Sequence, residues 1–352
     1  MGDIMKDFVF PLLNWFYQNK RVLPWRIDKN PYHVWISEIM LQQTRIEAVI
    51  SYYNRFIQEF PTIEDLANCP LDRLLKLWEG LGYYNRAKNL QKAAKIIISD
   101  YNGIFPSSYS DIIKLPGIGE YTASAISSVC FSLKEATVDG NVLRVYMRLH
   151  NCYDNVDDLK VKKRVRNELM EIMPEDAGSF NEAMMELGET VCIPNGIPKC
   201  EICPIKDYCH AYSQKSFLSL PVKLPKKEKL KENYTVLLFI YKDLIAISKR
   251  DKQGLLSGMW QFPNISGNLS RNDIKEWLDK QEFMYSDVIP SISYQHIFTH
   301  KIWNISSYII FLKSNCPPYE FSWVTFDELE NDYAMPTVFK RLQTEIEIKF
   351  NR

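Results

Sequence analysis

The chain has 352 residues, of which 46% are hydrophobic and 24% charged, and its 43 basic side chains balance 43 acidic ones. This composition excludes a disordered chain. The neutral balance gives no overall sign of a nucleic-acid partner, so any affinity for DNA must come from local basic patches. The chain contains no run of 18 apolar residues, and its N-terminus lacks the basic start and cleavage site of a signal peptide. We therefore expect an intracellular protein without a membrane span.

The first two hundred residues carry the apolar spacing of amphipathic helices. Helices are predicted near residues 8–17, 71–78, 86–99, 142–150, 161–173 and 180–190. Pro11 predicts that the first helix begins or kinks at that position. Thr62 and Asp65 have the spacing of a capping box, which marks another helix start. This part of the chain is expected to be almost wholly helical.

The sequence changes character after residue 213. Residues 220–231 are rich in proline and lysine and contain too few apolar residues to pack, so they are a candidate linker. Beyond them, β-branched and aromatic runs predict strands at residues 234–241, 244–249 and 303–313. Helices are predicted at residues 272–279, at the capping box 325–328, and at 337–348. The second domain is therefore expected to mix α and β structure.

A short glycine-rich joint, LPGIG at residues 115–119, lies between two predicted helices. Gly117 and Gly119 would let backbone N–H groups approach a DNA phosphate, and the following helix would direct its N-terminal dipole at the same anion. This is how a helix–hairpin–helix grips a duplex without reading its sequence. An ordinary corner between two helices would also use glycine here, so the joint alone leaves both interpretations open.

Four cysteines crowd into eighteen positions as C-x7-C-x2-C-x5-C, namely Cys192, Cys200, Cys203 and Cys209. Four thiolates in such a loop are typical of an iron–sulfur cubane. A structural zinc site usually has two C-x2–4-C pairs, and only one occurs here, although zinc remains an alternative. The neighbouring Lys199 and Lys206 are candidates for contacts with phosphates.

Together these features resemble the endonuclease III superfamily of base-excision DNA glycosylases. Five segments narrow the similarity to its adenine DNA glycosylase (MutY) branch: LPWR at 23–26, WISEIMLQQT at 35–44, GLGYY at 80–84, VDGNV at 138–142 and MELG at 185–188. The resemblance implies a mainly α helix-hairpin-helix glycosylase with a four-cysteine cluster loop, followed by a smaller α+β Nudix-like domain. The implied boundaries are 1–217 for the helical domain (a six-helix lobe at about 28–137, and a cluster lobe from 1–27 plus 138–217), 218–231 for the linker, and 232–352 for the Nudix-like domain.

The candidate catalytic groups are Glu38, Asp139, Tyr121 and Asn141. Glu38 flanks an apolar stripe, where burial would keep a carboxyl group protonated, whereas Asp139 precedes a Gly-Asn turn whose donors would keep it ionised. The resemblance implies that Glu38 protonates adenine and helps activate water, while Asp139 stabilises the sugar cation. Tyr121 stands where strand-nicking relatives have a lysine, and a phenol forms no imine, so we expect a monofunctional enzyme. Tyr121 and Asn141 are expected to hydrogen-bond around Asp139.

The resemblance also assigns the residues that contact the bases. It implies an adenine pocket of Trp25, Arg26, Leu41 and Glu186, intercalating residues Gln43 and Tyr83, and an 8-oxoguanine recognition loop of Phe298, Thr299 and His300. Arg86 and Lys88 are further candidates for phosphate contacts. Two departures from the family pattern stand out, the seven residues between Cys192 and Cys200 where six are usual, and Thr299 where serine is usual.

The expected function is removal of adenine mispaired with 8-oxoguanine or guanine in double-stranded DNA, by a monomer carrying a [4Fe-4S] cluster. The compartment would be the cytoplasm in a bacterium and the nucleus in a eukaryote. Two alternatives stay open at this point. One is a pyrimidine-damage glycosylase–lyase of the endonuclease III type, which Tyr121 disfavours. The other is a DNA-binding protein whose cluster senses redox state and whose catalysis is lost.

Overall fold

The computed structural model describes residues 4–225, 228–251, 254–314 and 321–350. Its helices are α1 (Ile4–Asp7), α2 (Val9–Asn19), α3 (Pro31–Leu41), α4 (Ile46–Glu59), α5 (Ile63–Asn68), α6 (Leu71–Leu77), α7 (Asn85–Tyr101), α8 (Tyr109–Ile112), α9 (Glu120–Phe131), α10 (Gly140–Leu149), α11 (Leu159–Glu171), α12 (Ala177–Thr190), α13 (His210–Ser213), α14 (Arg271–Lys280), α15 (Phe326–Asn331) and α16 (Thr337–Phe350). Its strands are β1 (Leu230–Tyr241), β2 (Leu244–Lys249), β3 (Trp260–Gln261), β4 (Asn264–Ser266), β5 (Tyr285–Ile297), β6 (Lys301–Leu312) and β7 (Ser322–Val324). No helix in these described ranges is long and apolar enough to cross a membrane.

The chain forms two compact units, one of residues 4–68 and 89–225 and the other of residues 69–88 and 228–350. The predicted domain boundaries remain a prediction, and the units differ from them in two respects. The predicted linker 218–231 is shorter than expected, because Leu220 is buried in the first unit, Val156 N donates to the Val222 carbonyl at 3.1 Å, and β1 already begins at Leu230. Residues 69–88 were placed by prediction in the six-helix lobe, but they pack within the second unit. The reason is a set of polar contacts, including Lys76 with the Tyr333 carbonyl and Lys249 with Asp72.

In the first unit, local signals in the sequence start the helices that carry the site. Pro11 lies in the first turn of α2, where a missing N–H costs nothing, so the helix begins there as predicted. Asn30 caps α3 by accepting a hydrogen bond from the Tyr32 amide at 2.9 Å, and Pro31 occupies the first helical position. Asp139 caps α10 in the same way.

Two glycines in this unit are required by close approach. Gly117, in the hairpin turn between α8 and α9, has φ +82°, and a Cβ there would lie 2.8 Å from Cβ of Asn89. Gly188 lets α12 approach α10, because a Cβ on it would lie 2.7 Å from Cβ of Asn141. A larger residue at either position would displace a neighbour.

The second unit is built on a seven-stranded sheet with the order β3-β2-β1-β6-β5, to which β4 adds on β1 and β7 on β2. Strands β1 and β6 run parallel, and β5 and β6 form an antiparallel hairpin. Apolar side chains cover both faces, with α16 packed on one and α14 on the other. The predicted strands and helices of this domain are confirmed.

Strand β5 was not predicted. It contains Pro290, and the pairing with β6 shifts register between Pro290 and Ser293. A proline has no backbone N–H to donate to a neighbouring strand, so it is tolerated on an edge strand or at a bulge. Pro290 lies on the edge strand β5, next to the bulge. The bulge breaks the alternation of apolar and polar residues by which a strand is recognised in sequence.

Candidate active site

Glu38 lies near the C-terminal end of α3, a helix whose other residues from Val34 to Met40 are buried. Its Oε2 atom is buried and accepts no hydrogen bond. Burial raises the pKa of Glu38 to about 7, the charges of Glu182 and Asp139 add to the rise, and the neighbouring Tyr121 hydroxyl and the charge of Arg26 oppose it. A carboxyl group in this state holds a proton near neutral pH.

Asp139 is better supplied with donors. Its Oδ1 accepts from the Val142 amide at 2.7 Å and its Oδ2 from Asn141 Nδ2 at 2.9 Å. Burial nevertheless raises the pKa of Asp139 above its ordinary value, while these donors pull it down. The predicted donors are therefore present, but they moderate the effect of burial rather than reverse it. Because both Asp139 oxygens are hydrogen-bonded and one Glu38 oxygen is not, the negative charge is better supported on Asp139.

Tyr121 is the second residue of α9, and its predicted partner was Asp139. Its hydroxyl donates instead to Met185 Sδ at 3.2 Å, and the charges of Glu38 and Asp139 act on it. Burial and the charges of Glu38 and Asp139 raise the pKa of Tyr121 well above its ordinary value, so the phenol stays neutral.

A cavity of about 750 Å³ in the first unit brings these groups together. Its lining includes nine residues predicted from sequence as catalytic, pocket or intercalating: Trp25, Arg26, Glu38, Leu41, Gln43, Tyr121, Asp139, Asn141 and Glu186. Pockets of this size accommodate small organic ligands. The candidate site is thus one concave space that brings Glu38 and Asp139 together.

One wall of the cavity is an ion-pair network, of which only Arg26 and Glu186 were predicted from the sequence. Arg26 donates to Glu182 at 2.8 Å and to Glu186 at 2.9 Å, while Arg21 binds Glu186 and Glu189. Burial raises the pKa of Glu186, but the hydrogen bonds and charges of the two arginines outweigh it, and the net pKa lies below the ordinary value.

The missed members of this network are Arg21, Glu182 and Glu189. The spacing of positions 182, 186 and 189 places three acidic side chains on one face of α12, and this was the available signal. A row of acidic side chains on a helix usually faces solvent. Only the folded structure shows that arginine side chains pair with the row on α12. Trp25 closes another part of the cavity and meets Tyr53 edge-on, with ring centroids 5.3 Å apart.

The hairpin glycines and the predicted recognition loop lie at the surface of their units. Gly117 and Gly119 are exposed in the turn before α9, and Gly119 is the N-cap of that helix. In the second unit, Phe298 N donates to the Lys301 carbonyl at 2.8 Å, which leaves Thr299 and His300 exposed at the tip of the β5–β6 hairpin.

Phe298 itself packs inward, with its ring 4.9 Å from that of Trp303. Tyr83 is 46% exposed, and its hydroxyl forms a hydrogen bond with Thr299 Oγ1. Arg86 donates to the Leu81 carbonyl at 3.1 Å, and Lys88 donates to the Ser257 carbonyl at 2.5 Å. Both basic side chains are therefore hydrogen-bonded to backbone carbonyls within the second unit.

The four clustered cysteines line one small cavity of about 30 Å³, together with Arg148. Arg148 Nη1 lies 3.3 Å from Cys192 Sγ. A backbone hydrogen bond of 3.0 Å from Lys199 N to the Val191 carbonyl closes the loop, and its exposed turn contains Gly196, where φ is +80°. Within the described ranges, no three His, Cys, Asp or Glu side chains are gathered closely enough to hold a single metal ion.

Residues 36–175 match the family described as HhH-GPD superfamily base excision DNA repair protein, and residues 235–345 match the NUDIX domain. An adenine DNA glycosylase of Buchnera aphidicola subsp. Baizongia pistaciae (strain Bp) is 40% identical over 305 residues, which cover 86% of this chain and 84% of the relative. An adenine DNA glycosylase of Mus musculus is 32% identical over 394 residues, which cover 94% of this chain and 76% of the relative. The structure of a trapped endonuclease III–DNA covalent intermediate is similar with a TM-score of 0.53 at 27% identity, covering 61% of this chain and 98% of that one.

The helical unit, its hairpin and its carboxyl-lined cavity, together with these similarities, define a base-excision DNA glycosylase, and the predicted fold class is confirmed. The chain belongs to the adenine DNA glycosylase family.

Proposed function

We propose that the protein hydrolyses the N-glycosidic bond of adenine placed opposite 8-oxoguanine or guanine in double-stranded DNA, as a monofunctional enzyme. One observation carries the proposal. Glu38, with an unpaired buried oxygen and a pKa raised to about 7, shares a cavity with Asp139, whose two oxygens are both hydrogen-bonded. An acid and a carboxylate in opposed roles are what cleavage of a glycosidic bond requires.

The reaction follows from the protonation states of these two groups. Glu38 gives its proton to a ring nitrogen of the extruded adenine, so the bond from the sugar to the base breaks with its electron pair leaving on the base. The sugar becomes an oxocarbenium-like cation, which the Asp139 carboxylate stabilises. Glu38, now ionised, accepts a proton from a water molecule that adds to the sugar carbon, and this restores its acid form.

The remaining cavity residues suit the recognition of adenine. Arg26 and Glu186, fixed to each other at 2.9 Å, offer a donor and an acceptor, and Trp25 and Leu41 offer apolar surface for a purine. A base must leave the stack to reach this cavity, and unstacking costs a few kcal/mol that wedge residues help to offset.

Gln43 and Tyr83 are the proposed wedges, and the left-handed backbone of each, at φ +59° and +48°, supports a functional role for both. The backbone amides around Gly117 and Gly119 would hold a phosphate of the same duplex.

Tyr121 supports monofunctional chemistry, because a phenol cannot form the Schiff base through which a lyase nicks the strand. Its neutral hydroxyl donates to Met185 Sδ and would stand in the cavity as a polar neighbour of the two catalytic carboxyl groups. Recognition of the opposite base is assigned to Thr299 and His300 at the hairpin tip, with Phe298 anchoring the turn on Trp303. The threonine hydroxyl keeps the hydrogen-bonding capacity of the usual serine.

The four cysteines would hold a [4Fe-4S] cluster, and the fit rests on their arrangement. All four thiols line one cavity, and the buried Arg148 beside Cys192 supplies positive charge to a centre that is anionic when four thiolates bind it. The cluster would tie the loop 192–209 to α10 and would take no part in the glycosylase steps.

The Cys203→Ser variant is expected to lose most of its bound iron and its visible absorption, and to unfold several degrees below the wild type, because a structural cluster contributes folding energy. Iron analysis and thermal unfolding test this. Cys152→Ser, at a half-buried cysteine outside the loop, is the matched control and should keep both properties. Zinc in place of iron in the wild type would contradict the assignment.

The function itself is tested with duplexes that carry one adenine opposite 8-oxoguanine, guanine or thymine. We expect free adenine and an alkali-labile strand with the first two partners, no nicking before alkali, and no adduct after borohydride. A borohydride-trapped adduct would instead indicate the endonuclease III type of glycosylase–lyase. Absence of adenine release from an iron-loaded protein would overturn the proposal. Action as a monomer stays a prediction.

A further inference from the structure

Tyr83 occupies a turn that is held at both of its ends within the second unit. The turn follows α6 and contains Gly80 and Gly82, which have φ +98° and +72°. Trp78 Nε1 donates to the Gly82 carbonyl at 3.1 Å, and Arg86 lies over the rings of both Trp78 and Tyr83. The turn is therefore rigid in itself, and its placement depends on its two anchors.

Glu79 forms the first anchor. Its Oε1 accepts from the Met335 amide at 2.8 Å and pairs with Lys340 at 3.1 Å, while its Oε2 pairs with Lys76 at 3.0 Å. Lys76 donates in turn to the Tyr333 carbonyl at 3.1 Å. One carboxylate thus joins the start of the turn to the segment between α15 and α16, and it is only 14% exposed.

The segment that Glu79 grips belongs to the core of the sheet domain. Met335 is fully buried there, and Tyr333 meets Trp260 edge-on, with centroids 4.9 Å apart. Lys88 forms the second anchor through the Ser257 carbonyl at 2.5 Å. With both ends fixed to the sheet domain, the Tyr83 hydroxyl meets Thr299 at the hairpin tip.

We infer that Glu79 is a positioning residue for recognition of the base opposite adenine. Its carboxylate fixes the turn to the sheet domain, so that the Tyr83 hydroxyl and Thr299 Oγ1 stand as one preformed polar pair. Loss of the carboxylate frees the turn and separates the wedge from the recognition loop. This inference rests on the proposed function, and it assigns a specificity role to a residue that touches no base.

A double-mutant cycle tests it, using single-turnover rates of adenine release opposite 8-oxoguanine and opposite guanine. Glu79→Ala is expected to lower the ratio of the two rates about five- to tenfold, while the rate opposite guanine stays within about twofold. In the Tyr83→Phe background, which lacks the hydroxyl, the same substitution should change the ratio by less than about twofold. Glu79→Gln keeps an acceptor for the Met335 amide without the charge, and it should give an intermediate ratio and preserve the fold.

The control is Arg271→Ala, which breaks an exposed ion pair with Asp287 in the same unit and should leave the ratio unchanged. If the wild-type rates opposite 8-oxoguanine and opposite guanine were nearly equal, the proposed recognition of 8-oxoguanine would be contradicted. A high wild-type ratio that survives both Glu79 substitutions, or that falls equally in the Tyr83→Phe background, would overturn the role of Glu79 alone.

Discussion

Glu38→Gln is expected to lower the single-turnover rate of adenine release by roughly 10²–10⁴-fold, the usual contribution of a general acid. The amide has the size of the carboxylic acid and fills the same place on α3, but it has no acidic proton to give to the base. Rates are measured with enzyme in excess over the mispaired duplex. Glu64→Gln, at an exposed glutamate on α5, is the matched control and should behave as the wild type.

Thermal unfolding of the same variant separates lost chemistry from a lost fold. The pKa of Glu38 is raised to about 7 in the folded protein, above its value in the unfolded chain. The folded state therefore binds the extra proton between these two values, and stability falls as pH rises through that window. Because glutamine does not ionise, Glu38→Gln should be stabilised relative to the wild type at pH 8 more than at pH 4. An inactive variant that also unfolds early at pH 8 would count against the catalytic assignment.

Asp139→Asn is expected to lower the rate by roughly 10²–10³-fold, because a neutral amide gives no charge to the sugar cation. The fold should be kept, since asparagine caps a helix as well as aspartate does, and it can still accept from the Val142 amide. The assay is again adenine release under single-turnover conditions.

Asp158→Asn provides a close control for this variant. Asp158 caps α11 and accepts from the Lys160 amide at 2.8 Å, as Asp139 does on α10, but it lies outside the cavity. This second variant should keep full activity. If Asp139→Asn stayed within tenfold of the wild type, Asp139 would be a capping residue only.

The sequence predicted those parts of the site whose chemistry is local. The resemblance to the family indicated Glu38 and Asp139, and the burial of the first and the capping role of the second could be predicted because both effects act within a few positions. The partner of Tyr121 could not be predicted in this way, since Met185 reaches it from another helix. Arg26 and Glu186 were predicted, but their further partner Arg21 was not, because Arg21 and Glu186 are 165 positions apart.

The second unit shows the same limit. Its predicted strands had clear apolar runs, whereas β5 was hidden by Pro290 and a change of register. The contact between Tyr83 and Thr299 joins residues 216 positions apart, and the anchor at Glu79 joins residues 256 apart. Neither contact has a local pattern, so only the folded chain brings these side chains together.

The pH dependence of adenine release tests most directly whether Glu38 acts as the acid. The second-order rate constant for the A:8-oxoguanine duplex at limiting enzyme reports the protonation of the free protein. With the pKa of Glu38 raised to about 7, this constant should fall about tenfold for each pH unit between 8 and 9, and Glu38→Gln should show no such fall. A constant that stays level from pH 6 to 9, or a fall that persists in Glu38→Gln, would contradict the account.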